Sequence, residues 1–175
     1  QTGGGKVITV TSTAHDSRSE YMAMSSNGFE GYNEQTVFYA GAEMTMQDEG
    51  DRRPAGYNYM VSVNRKDLPS AAEIGTEAAK RTLAQMGAKK IKTETLPIII
   101  ENRVASRVLG GFLEAMYGYN IQQKQSFLAD KKGQRVGSDL FTIIDDPFIK
   151  GGLGSRLYDG DGLSGKKRVM VDKGI

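Results

Sequence analysis

Between Lys6 and Thr13 the chain alternates and favours β-branched residues (KVITVTST), a pattern that predicts a strand. A second alternating stretch, TVFYAGAEMTMQD, sets Val37 and Tyr39, then Met44 and Met46, two positions apart. After the turn DEGDRRPAGYN, the run YNYMVSVNR gives a further strand. Asn27-Gly28 lies between two plausible strands in EYMAMSSNGFEGY, and Asn-Gly is the strongest short hairpin signal. These patterns predict an antiparallel meander of four or five strands with mixed apolar and polar faces.

The period then lengthens. Ser70 followed by Glu73 forms a capping box, and Ile74, Ala78, Ala79, Leu83 and Met86 make one apolar face. With Gly87 as the stop, the spacing predicts a helix over about 71–86. KTETLPIIIE reads as a strand ending in an apolar run buried on both faces. A second helix is expected over about 103–117, capped by Asn102, with Val104, Val108, Leu109, Phe112 and Met116 as its buried stripe. Gly110-Gly111 costs that helix about 2 kcal/mol of propensity. The glycines therefore predict a close-packed neighbouring backbone, taken as the strand containing Ile143 and Ile144. DLFTIID and KKRVMVD are the remaining strands. The fold class expected is α+β, a mostly antiparallel strand meander with two main helices and a β-rich C-terminal part. Its division falls near Lys92, into residues 1–92 and 93–175.

Composition narrows the function. The 175 residues are 38% apolar and 25% charged, and the longest apolar run, LPIII, is far too short to span a bilayer. The absence of cysteine excludes disulfides and thiolate metal sites and fits a cytoplasmic setting. A net charge of +2 lacks the basic bias of a nucleic-acid binder. The single histidine, His15, cannot supply the two histidines, one helical turn apart, of common zinc peptidases. It reads as a surface loop residue beside Asp16. The chain opens on Gln1 and closes on a strand, RVMVDKGI, that runs into a turn. It reads as part of a longer protein, with Val169–Val171 near an open edge or another chain.

The densest candidate chemistry lies in IIDDPFIKGGLGSRLYDGDGLSGKK. Gly160, Gly162 and Gly165 satisfy G-x-G-x-x-G, but a β-patterned run follows where a dinucleotide site needs a helix. Asp159 and Asp161 begin a calcium-loop pattern that Leu163, Ser164 and Gly165 do not continue, whereas Asp-Gly pairs suit tight turns. Asp145 and Asp146, adjacent on a strand, point to opposite faces. Asp146, before Pro147, is expected to end the strand and accept loop amides.

The series KQSFLADKKGQRV, LFTIIDDP, GLGS and YDGDG, with MSSNGFEGY and the 73–100 region upstream, resembles the TldD/PmbA family, labelled modulators of DNA gyrase. The resemblance covers nearly the whole chain. It implies a metallopeptidase-related protein of one of two branches. TldD-type subunits carry a His-Glu-x-x-x-His helix, and PmbA/TldE-type subunits lack it. Here the corresponding helix reads VLGGFLEAMYG, with Leu109, Gly110 and Glu114 in the approximate places of the metal-helix residues, so the PmbA/TldE branch is implied. Asp161 stands where a glutamate is usual.

From this follow no catalytic residue, no metal and no cofactor in this chain. A zinc-type metal is expected only in a TldD-like partner. The implied partners are that subunit or a second copy in a homodimer, and an extended peptide substrate, with no nucleic acid and no membrane. Asp145, Asp146, Gly154, Ser155, Asp159 and Asp161 become a turn signature that builds loops or a peptide channel. Two alternatives stay open. One is an independent metal-dependent hydrolase using Asp145, Asp159 and Asp161; the other is a purely structural β-rich module.

Overall fold

The computed structural model describes residues 6–175. The chain forms two compact units: residues up to Lys90 with Asp146–Lys166, and Ile91–Asp145 with Lys167–Ile175. The α+β expectation holds, with a three-stranded antiparallel sheet, helices, and a small C-terminal pair of strands.

Among the described residues of the first unit the meander has three strands rather than four or five. β1 (Lys6–Met24) pairs antiparallel with β2 (Glu30–Gln47), and β2 pairs with β3 (Ala55–Ser62). The stretch Ala14–Ser19, which includes His15, continues β1 because its backbone stays in the ladder opposite Gln35–Ala40 of β2. Its hydroxyls and charges face solvent, as a one-sided antiparallel ribbon allows. His15 accordingly sits on β1 opposite Tyr39, exposed but not in a loop. The Asn27-Gly28 turn forms as expected: Gly28 takes φ 89°, and Asn27 Oδ1 accepts the Phe29 N–H at 3.0 Å.

α1 (Ala71–Leu83) covers one face of β2 and β3. Its capping box is complete, with the Glu73 N–H donating to Ser70 Oγ at 3.2 Å and the Ser70 N–H donating to Glu73 Oε2 at 2.8 Å. These two groups, the Ser70 hydroxyl first and then its backbone N–H, hold the Glu73 carboxyl below its ordinary value. Ile74, Ala78, Ala79 and Thr82 are buried, and Met46 of β2 is fully buried. Thr82 Oγ1 lies 3.0 Å from the Met44 carbonyl and 2.9 Å from that of Ala78, tying helix to strand. Gly56 of β3 permits the approach, since a Cβ there would fall 2.4 Å from the Thr82 nitrogen. The helix stops at Leu83, three residues short of expectation, and Met86 lies in the turn that follows. Gly87 takes φ 67°, and its N–H donates to Asp48 Oδ2 at 3.0 Å. Asp48 is held below the usual carboxylate range by the Glu49 and Gly87 backbone N–H groups and, less, by Arg52.

In the second unit the expected strand at LPIII is absent. Residues 91–101 form no strand, and Ile98 and Ile99 are exposed. An apolar run becomes a strand only where another strand takes its backbone groups. Among the described residues none does. α2 (Asn102–Ala115) starts one residue early and ends two early, and Glu101 rather than Asn102 holds the N-cap position. Its buried face is narrower than predicted: Val108 is exposed, and Ala115 is the buried residue. α3 (Gly118–Gln122) follows.

Phe112 of α2 meets Phe141 edge-to-face with centroids 5.4 Å apart and lies 6.1 Å from Phe127. β4 (Ile143–Asp145) and β5 (Arg168–Val171) pair antiparallel, and Val171, opposite Ile143, is buried. Among the described residues no second strand pairs β5, so its outer edge is open as expected.

Candidate functional site

Two of the signature acids, Asp146 and Asp159, are bound into turns. Asp145 ends β4 opposite Arg168 and belongs to the second unit, whereas Asp146, Gly154, Ser155, Asp159 and Asp161 belong to the first. Asp146 Oδ1 accepts the Phe148 N–H at 3.0 Å, the loop-amide role expected of an Asp-Pro step. The Ser155 hydroxyl donates to the Ile149 carbonyl at 2.5 Å, closing the turn that Gly152 makes narrow. Asp159 Oδ1 accepts the N–H groups of Asp161 at 3.0 Å and Leu163 at 2.9 Å. The turn is closed by the Tyr158–Ser164 bridge, and Gly162 takes φ 80°. An Asx turn of this kind commits the Asp159 oxygen to the backbone.

This segment lies on the β1–β2 ribbon. Phe29, after the hairpin turn, meets Tyr158 edge-to-face with centroids 5.0 Å apart. The Gln35 side chain donates to the Leu153 carbonyl at 2.9 Å. Between ribbon and segment lies a cleft of about 270 Å³ lined by Tyr21, Asn33, Arg156, Leu157, Tyr158 and Asp159, among others. Neither Phe29 nor Tyr158 carries a sequence signal for this meeting, which only the fold brings about. A second aromatic group without a local signal is the row Tyr39, Tyr59, Tyr57, with successive centroids 5.9 and 6.1 Å apart.

α2 overturns the packing expectation for the glycine pair. A Cβ at Gly110 or Gly111 would meet nothing within 4 Å, so no strand lies against them. The residues of α2 also do not fit a zinc site. Leu109 and Gly110 offer no donor and Glu114 offers one carboxylate, where zinc takes three or four protein ligands. Among the described residues no three histidines or acids are grouped to hold a metal ion. Nor is any described helix long and apolar enough to cross a membrane.

The model for the PmbA/TldA metallopeptidase central domain matches residues 4–86, and that for the C-terminal domain matches residues 93–175. Metalloprotease PmbA of Escherichia coli O157:H7 is 30% identical over 129 residues, which cover 74% of this chain and 28% of that protein. A crystal structure from Bacteroides thetaiotaomicron, described as a candidate modulator of DNA gyrase, matches with a TM-score of 0.92 at 32% identity. It covers 97% of this chain and 38% of that one. TldE from Thermococcus kodakarensis shares the fold, with a TM-score of 0.76 at 20% identity over 93% of this chain and 37% of that one. The chain thus spans less than a third of the length of the Escherichia coli relative.

Proposed function

Because the chain belongs to the PmbA/TldD metallopeptidase family, we propose that it serves as a PmbA/TldE-type subunit of a two-subunit peptidase and holds no metal site of its own. The division near Lys92 into a central and a C-terminal domain is part of the proposal, supported by the family models that lie on either side of it. The observation that carries the reading is the donor-poor α2: Leu109, Gly110 and Glu114 stand where the resemblance puts the metal helix. In this reading the zinc sits in a TldD-type partner, or the chain pairs with a second copy. Its own surfaces complete a channel for an extended peptide, and the assembly works in the cytoplasm. The signature turns then shape that channel rather than ligate a metal. An acid-based hydrolase is disfavoured because Asp159 Oδ1 already accepts two backbone N–H groups.

The test is metal analysis and a peptidase assay on the purified chain, alone and mixed with a protein carrying the His-Glu-x-x-x-His helix. No stoichiometric zinc or manganese alone, with a complex and peptide cleavage only on mixing, is the expected result. Stoichiometric metal together with peptidase activity in the chain by itself would overturn the proposal.

A further inference from the structure

Residues Asp146–Lys166 contain one isolated bridge, Tyr158–Ser164, and no strand or helix. Their order comes from bonds within the segment. The Arg156 N–H donates to the Pro147 carbonyl at 2.9 Å, Gly165 to Leu157 at 2.7 Å, and Asp159 to Leu163 at 2.9 Å. Their hold on the ribbon consists of the Gln35–Leu153 hydrogen bond and, at the hairpin end, of two rings and two glycines. A Cβ on Gly31 would fall 2.5 Å from Cζ of Tyr158 and 2.7 Å from Cζ of Phe29, so the tyrosine ring, with the tip of the phenylalanine beside it, occupies the space that a side chain of β2 would need. A Cβ on Gly162 would fall 2.7 Å from Cγ of Phe29, so the phenylalanine ring occupies the matching space on the segment. Each side supplies one aromatic ring and one glycine, and the rings touch edge-to-face. This reciprocity makes the contact all-or-none: moving either ring out of its notch also moves the other.

We propose that Asp146–Lys166 is a strap that docks on the ribbon and leaves it as one piece, with Phe29 and Tyr158 as its latch. Its internal backbone bonds survive undocking because none of them involves the ribbon. Docked, it holds the Asp159–Asp161 turn beside Tyr21 and Asn33. Undocked, it opens the cleft into a continuous face along β2 from Gly31 to Gln35. The inference concerns this unit alone and stands whether or not the chain proves to be a metal-free peptidase subunit.

Limited trypsin digestion of the whole chain reads the latch through Arg156, an exposed residue in the strap. Cleavage there requires local opening, so its rate follows the undocked population. Tyr158→Ala removes the ring from one side, and Gly31→Val crowds both rings of the latch from the other. Each is expected to speed cleavage after Arg156 about tenfold or more, while cleavage after Arg81 in α1 stays within about twofold of the parent. Combining them adds little to either alone, because both abolish one contact. Phe29→Leu, a milder change, gives a smaller acceleration at the same bond. Unchanged cleavage at Arg156 in the first two variants overturns the latch. Equal acceleration at Arg156 and Arg81 overturns the strap, since the segment would then be part of one cooperative unit with α1.

Discussion

α1 and α2 are of similar length and read equally well as amphipathic helices, yet they are held in different ways. α1 has a complete capping box, four buried residues and a strand glycine that brings its backbone onto β3. α2 has no side-chain cap bond, one buried residue and two interior glycines facing open space. Its anchor is local to its C-terminal half, where Phe112 joins Phe127 and Phe141, and the Ser126 hydroxyl donates to the Ala115 carbonyl at 2.5 Å. The difference shows that apolar periodicity predicts a helix but not how firmly it is seated. Seating depends on what the rest of the chain brings to the apolar face.

Substitutions on the two helices and their supports break or sharpen this contrast. The largest effect is expected at Met46, fully buried beneath α1: Met46→Ala costs about 2–5 kcal/mol, read by denaturant unfolding monitored through α1. A cost under 1 kcal/mol would mean that α1 is no better seated than α2.

Next is the cap. Ser70→Ala is expected to lower stability by about 1 kcal/mol. The cap also makes α1 pH-sensitive. Glu73 is shifted below its ordinary 4.5, so its contribution is present above that value and is lost as pH falls through the lower folded-state value. Glu73→Gln therefore flattens the acid limb of the α1 unfolding profile, measured by circular dichroism, and leaves α2 unaffected.

The smallest change is expected in α2. With open space at Gly111, Gly111→Leu raises stability by about 0.5–1 kcal/mol through helix propensity. A fall in the midpoint of thermal unfolding would restore the packed-strand account.

The sequence made the local parts of this contrast legible. Ser70 and Glu73 three apart and the Asn27-Gly28 turn are signals whose physics is complete within a few residues, and both appear in the structure, whereas α1 ends at Leu83, before the Gly87 stop. The family's turn series was legible in the same way, because Asp159 and Asp146 bond to amides two or four residues on. What could not be read depended on distant partners. Ala14–Ser19 lacks alternation yet extends β1, because β2 supplies the ladder. LPIII has the composition of a buried strand but no strand beside it among the described residues. The glycine pair in α2 and the glycines at 31 and 162 look alike in sequence. Only the second two receive a ring, and nothing near them says so.

The same latch has a consequence for the order of assembly. α1 and the strands that seat it lie between Lys6 and Leu83, and the Gln85 and Gly87 bonds to the sheet follow at once, so that part can close while the chain is still being made. The strap must wait, because the Gln35–Leu153 bond joins residues 118 apart. Closing so long a loop carries an entropic cost that grows only slowly with length, and the contact comes late because the chain must first exist. Until then the Phe29 ring, beside Gly31 at the tip of a finished ribbon, lacks the Tyr158 ring that meets it in the folded chain.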